Sequence, residues 1–233
     1  MSAFSFTSKI PEIAGVDFSH NPHVATAGIA TIFLVAISAY AKASLGSGQS
    51  AMLPANKFSI RGVFEVITEF IVGLADSIIG KDARHYVPFF AAIFTFTLFN
   101  NLIGIIPGMS PATESLNTTF AMGAFIFITY NLIGIKVHGF GYIKQFLGPV
   151  WWLAPLMLAI EIISHLIRPL SLGLRLGNVL KVDHTVVGLF TDLVPVLVPV
   201  PFYMLGLLVC VVQALVFTLL SMVYVSLARS HDH

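Results

Sequence analysis

The chain has 233 residues, 57% of them hydrophobic and 10% charged, with a formal net charge of +1. An ordinary soluble domain is about a quarter charged, so this chain lacks the polar surface to coat a water-soluble globule, and the bilayer is the solvent its composition calls for. The near-neutral balance, without a basic cluster, gives no basis for binding nucleic acid, and the single cysteine, Cys210, allows no intrachain disulfide and reads as a small buried hydrophobe.

Residues 1–23 mix polar, aromatic and proline residues without the positive-then-apolar pattern of a cleaved leader, and are expected to form a short segment outside the membrane. A membrane span needs about 20 apolar residues. Residues 24–41, 87–107 and 115–135 each meet that length without a lysine or arginine. Between 24–41 and 87–107, residues 59–80 repeat Ile60, Val63, Phe64, Ile67, Phe70, Ile71, Leu74 and Ile78 at helical spacing, with Arg61, Glu65, Glu69 and Asp76 on the other faces. That pattern predicts an amphipathic helix on the membrane surface or against a partner, with Ser59 as N-cap and Gly80 as stop. Residues 149–182 form a long span that is apolar except for Glu161, Arg168, Arg175 and Lys181. Residues 195–201 hold three prolines and read as a loop or broken turn. The final span, 202–228, is about 40 Å long as a helix and must tilt to fit the hydrocarbon core.

The expected fold is therefore an all-α integral membrane protein forming a single membrane domain. It has five membrane-embedded helices, the last two long and tilted, and one amphipathic interfacial helix. Basic and non-basic loops alternate only if the charged segment 149–182 counts as a span. Residues 42–86 hold Lys42, Lys57, Arg61, Lys81 and Arg84, and residues 136–148 hold Lys136 and Lys144, whereas 108–114 and 183–201 hold neither Lys nor Arg. The positive-inside rule then puts the N-terminus outside and the C-terminus in the cytoplasm.

Charges within a bilayer are costly and face protein or a water-filled path. Glu161, Arg168 and Arg175 recur every seven residues, near one face of a continuous helix, with Ser164, His165, Ser171 and Leu172 beside them. Pro169 should bend that helix, and Gly177 leaves its continuation open. Arg175 lies mid-span with no acid three or four residues away to pair with it. Arginine stays protonated, so it is a poor proton carrier and a good barrier or partner for a carboxylate. Glu161, Asp183 and His184 are the candidate relay groups, and histidine is the best matched to neutral pH. If the helix continues, His184 points nearly opposite Arg175, a layout suited to two separate aqueous half-paths. Plainer roles compete: Arg168 and Lys181 snorkelling to the interfaces, Glu161 pairing with Arg168, and His165 as a packing residue. No repeat, phosphate-binding glycine loop or metal-ligand spacing is present.

The run Arg168-Pro169-Leu170-Ser171-Leu172-Gly173-Leu174-Arg175-Leu176 resembles the signature of subunit a of F-type ATP synthases, with Arg175 at the family's essential arginine. Glu161 matches an acidic position on the cytoplasmic half-channel. Residues 213–228 resemble the family's C-terminal segment, and Gln213 matches the glutamine that faces the arginine. Asn101 to Pro107 resembles the end of the family's second span, and Pro111 to Asn117 the loop after it. There are departures. Gly177 follows Leu176 directly, which brings Asn178 one place early. Gly104 and Gly206 stand where some members carry an acid and a histidine, and Asp183 and His184 lie near a position that is often glutamate.

The resemblance implies a stator subunit whose two offset half-channels load and unload protons on the carboxylates of a rotating c-ring. Arg175 separates the half-channels, with Glu161, Gln213, His184 and Asp183 on the proton path. Arg168, Ser164, Ser171, His165, Asn178 and Asn101 are the supporting polar groups. It implies no cofactor and no metal, and no catalysis by this chain itself, since ATP is made in the soluble head. The implied partners are the c-ring, the subunit b stalk, the rest of the ATP synthase complex, the lipid and protons, in a bacterial inner membrane. A secondary ion-coupled transporter with a mid-membrane charged site, an intramembrane enzyme using Glu161 and His165, and a plain membrane anchor are the rival readings.

Overall fold

The computed structural model describes residues 22–43, 60–106, 111–139, 154–193 and 199–229. The segment 1–21, the Ser59 cap, Pro107, Gly108, residues 149–153 and Pro195 lie outside the described residues. Among those described the fold is all helical: α1 (Pro22–Ala43), α2 (Ile60–Ile78), α3 (Val87–Ile103), α4 (Leu116–His138), α5 (Ala154–Leu193) and α6 (Pro199–Arg229), with short 3-10 turns at Lys81–His85 and Ala112–Glu114. Helices α1, α4, α5 and α6 contain stretches long and apolar enough to cross a membrane, and α3 is a shorter apolar helix.

The bounds differ from the sequence expectation where local chemistry intervenes. The span expected over 87–107 is α-helical only to Ile103. Beyond it, Gly104, Ile105 and Ile106 donate to the carbonyls three residues back at 3.1 Å each, tightening the chain into a 3-10-like turn. Helix α5 runs through Pro169 and Gly177 without interruption and ends at Leu193, eleven residues beyond the expected limit of 182. Asp183, His184 and Thr185 read as loop residues in sequence, yet here they are helical because a protein neighbour receives the two titratable side chains. Helix α6 begins at Pro199, so residues 199–201 are helix and not loop; proline is tolerated in a first turn, whose N–H groups have no helical acceptor.

The core lies between α3, α4, α5 and α6, where Phe90, Ile126, Tyr130, Leu172, Leu176, Leu180, Phe217 and Met222 are almost fully buried. Helices α4 and α5 approach closely because the contact positions carry glycine. A methyl group on Gly123 would fall 2.7 Å from the Pro169 carbonyl oxygen, and one on Gly173 3.1 Å from the Thr119 carbonyl oxygen. Small residues allow this approach in a membrane, where packing rather than expulsion of water holds helices together. Helix α2 packs Ile71 and Ala75 inward, while Val63 and Phe70 of its expected apolar face stay exposed. It stops before Gly80, whose φ of 90° favours glycine.

Candidate functional site

Helix α5 is the axis of the site. Its 40 residues span about 60 Å, twice the hydrocarbon core, so it lies oblique. Three polar zones follow one another along it.

The first zone holds Glu161, His165 and Arg168. Arg168 Nη2 lies 3.9 Å from Glu161 Oε1, and its guanidinium carbon 5.8 Å from the centre of the Tyr224 ring of α6. His165 is buried; its Nε2 is 2.8 Å from Asn131 Oδ1 and 3.3 Å from the Tyr130 hydroxyl, both on α4. Asn131 Nδ2 donates to the Phe127 carbonyl, which fixes the amide so that Oδ1 faces the ring. An amide oxygen only accepts, so Nε2 is the donor of this contact. Tyr130, Asn131 and Tyr224 were missed in the sequence, where only an asparagine within an apolar span could have marked the place.

The second zone is Arg175. With Ser171 and Asn178 it forms an exposed stripe along α5, on a face that no other described helix covers. Leucine and isoleucine flank the stripe: Ile167 and Leu170 are about half exposed. Among the described residues no carboxylate lies within ion-pair distance of Arg175. Gln213 of α6 is buried; among the described residues its Nε2 has no hydrogen-bond partner, and no hydrogen bond joins it to Arg175. Ser164 is half-buried one turn before Arg168.

The third zone lies nine residues past Arg175, about 14 Å along the axis. Asp183 and His184 are neighbours in sequence and turn to different helices. A methyl group on Gly206 of α6 would come within 2.7 Å of Asp183 Oδ2, and one on Gly104, after α3, within 2.7 Å of His184 Cε1 and 2.8 Å of its Nε2. Both glycines leave room for a polar side chain of α5. His184 Nδ1 stands 3.4 Å from Glu114 Oε2. Behind this pair, Thr113 Oγ1 donates to Asn101 Oδ1 at 2.9 Å and Asn101 Nδ2 donates to the Cys210 carbonyl at 3.3 Å. Cys210 Sγ donates in turn to the Asn101 carbonyl, so this thiol is buried and also polar in its contacts. Among the described residues, no three His, Cys, Asp or Glu side chains are placed to hold a metal ion.

Comparison with known proteins gives this arrangement its context. The family model described as ATP synthase A chain matches residues 24–226. A protein of Bdellovibrio bacteriovorus named ATP synthase subunit a is 58% identical over 232 residues, 99% of this chain and all of that protein. The protein named ATP synthase subunit a 2 of Syntrophotalea carbinolica is 36% identical over 230 residues, 99% of this chain and 93% of its own. ATP synthase subunit a of Geobacter sulfurreducens is 44% identical over 174 residues, 74% of this chain and 76% of its own. With its run of long apolar helices, the chain is a multi-pass membrane protein, and it belongs to the ATP synthase A chain family.

Proposed function

We propose that this chain is the stator proton channel of an ATP synthase membrane sector, and that Arg175 separates two half-paths serving the carboxylates of a rotating c-ring. The observation that carries the reading is Arg175 itself: a permanent cation at mid-span, exposed on a face that no other described helix covers, with a polar cluster on either side along α5. A charge so placed in lipid is costly, and a carboxylate of another chain passing along that face offsets the cost. The c-ring supplies such carboxylates, and the subunit b stalk holds the chain against them.

Protons enter from outside at Asp183 and His184 and neutralise a ring carboxylate, which then turns into lipid. After most of a revolution the carboxylate meets the cytoplasmic path at Glu161 and releases its proton. Beside Arg175 the carboxylate is held ionised, because an opposite charge favours the charged form, and the guanidinium bars direct passage between the half-paths because it does not give up its proton. Gln213, buried on α6 with an unpaired amide nitrogen among the described residues, is the supporting amide of this reading. In this reading ATP is made by the soluble head of the complex, and the setting of the chain is a bacterial inner membrane with the N-terminus outside.

The test is ATP-driven proton pumping in membrane vesicles carrying Arg175→Ala, with passive leak measured alongside. Loss of pumping in an assembled complex is expected, with leak increased. Pumping at a near-normal rate overturns the reading.

A further inference from the structure

Glu114 sits in the 3-10 turn between α3 and α4, where the sequence shows only a loop carboxylate. Three observations give it more to do. It is the carboxylate paired with His184, at 3.4 Å, and both side chains are partly open, at 32% and 25% exposure. The His184 ring lies with Nδ1 toward Glu114 and its Nε2 edge against Gly104. The turn that carries Glu114 is anchored: Thr113 is buried and bonded to Asn101, and the Glu114 and Ser115 amides donate to Pro111 and Ala112.

We propose that Glu114 is the outermost proton-handling residue of the outer half-path and passes protons to His184. The assignment rests on the stator reading above and adds a residue to it. A proton arriving from water binds the Glu114 carboxylate. It then moves to His184 Nδ1, giving the imidazolium. Rotation about the Cβ–Cγ bond turns Nδ1–H away from Glu114, the same proton leaves for a water molecule or Asp183, and the neutral ring turns back with Nδ1 again free to accept, so one proton enters the imidazole for each that departs. The absence of a side chain at Gly104 is what lets the imidazole turn. On α5 the neighbouring charged groups are Asp183, turned toward Gly206, and Lys181, which is exposed; the turn that carries Glu114 is tied through Thr113 to the uncharged Asn101 and on to the Cys210 carbonyl.

The experiment is ATP-driven pumping by the complete complex in inverted vesicles, with membrane-bound ATPase content as the measure of assembly. Glu114→Gln is expected to slow pumping by about a hundredfold, the low end of what a positioned acid or base contributes. Glu114→Asp should keep most of the wild-type rate. The double variant Glu114→Gln with His184→Gln should be no slower than the slower single variant, because the two act as one unit. Gly104→Ala, which crowds the imidazole and Pro111, should slow pumping with Glu114 intact. A wild-type rate for Glu114→Gln, equal slowing by Gln and Asp, or additive losses in the double variant each overturn the proposal. Arg175→Ala in the same vesicles separates the two levels. If it pumps normally, the stator reading falls and takes Glu114 with it; if it is inactive while Glu114→Gln is normal, only the role of Glu114 falls.

Discussion

Gln213 offers a test of whether stability and function part company in the proposed site. Its amide is buried in α6, and Nε2 finds no acceptor among the described residues. A buried unsatisfied donor costs about 1–3 kcal/mol, a cost that selection for stability alone would remove. Gln213→Leu, similar in size and without the donor, is therefore expected to leave the complex at least as heat-stable while pumping falls. Thermal inactivation of ATPase activity and vesicle pumping, measured on one preparation, check both halves; an unstable variant would make Gln213 a structural residue. Residues of this sort differed in how readily the sequence revealed them. Arg175 stood out because the cost of an uncompensated charge in an apolar run is seldom met unless function requires it. Glu114 did not, because an acid in a polar loop is ordinary, and its meaning depends on α5 bringing His184 across to meet it. The Tyr130, Asn131 and His165 cluster was half legible: His165 was in view, but its partners lie 34 and 35 residues away in sequence.

At the scale of elements, the contact of α4 with α5 does the most to hold the polar axis in place. Gly123 lies against the Pro169 carbonyl, one residue past Arg168 and six before Arg175. A methyl group there meets backbone at 2.7 Å, which cannot swing aside as a side-chain tip would. Gly123→Ala is expected to push α4 and α5 apart, at about 1–3 kcal/mol for overpacking. Reduced pumping and reduced heat stability should therefore appear together, in contrast to Gln213→Leu. Gly28, with open space around its Cα, is the control: Gly28→Ala should change neither quantity. The existence and order of the helices followed from hydropathy and charge alternation, since a bilayer demands long apolar runs of its spans. The ends did not follow. Helix α5 continues past 182 and α3 ends at Ile103, because neighbouring residues, Gly206 for Asp183 and His184 for Gly104, decide there what the local sequence leaves open.

The whole molecule has two chemically different ends. At one, Ser226 Oγ near the end of α6 donates to the Ile78 carbonyl at the end of α2, and the Arg229 guanidinium stands 5.5 Å from the centre of the Tyr86 ring at the start of α3. Lys42, Arg84 and Lys136 belong to helix ends and turns on that side. At the other end, Glu114, His184, Gly104, Asp183 and Gly206 meet without a lysine or arginine in direct contact among the described residues. The positive-inside rule favours a cytoplasmic basic end, and under the function proposed above the Glu114 cluster is then the entrance and the Glu161 cluster the exit for protons driving synthesis. Cys210 makes the assignment easy to test, because the one native thiol is buried and bonded to Asn101, so the unaltered chain should not react and serves as its own blank. Asn117→Cys, exposed at the start of α4, is expected to take up a membrane-impermeant maleimide in intact cells or spheroplasts. Arg84→Cys, exposed in the turn before α3, should react only in inverted vesicles. The reverse pattern would leave the bundle and its two polar clusters as they stand and exchange their sides. Glu161 would then load the ring from outside, Glu114 and His184 would discharge it to the cytoplasm, and Arg175, lying between the clusters from either direction, would keep its role.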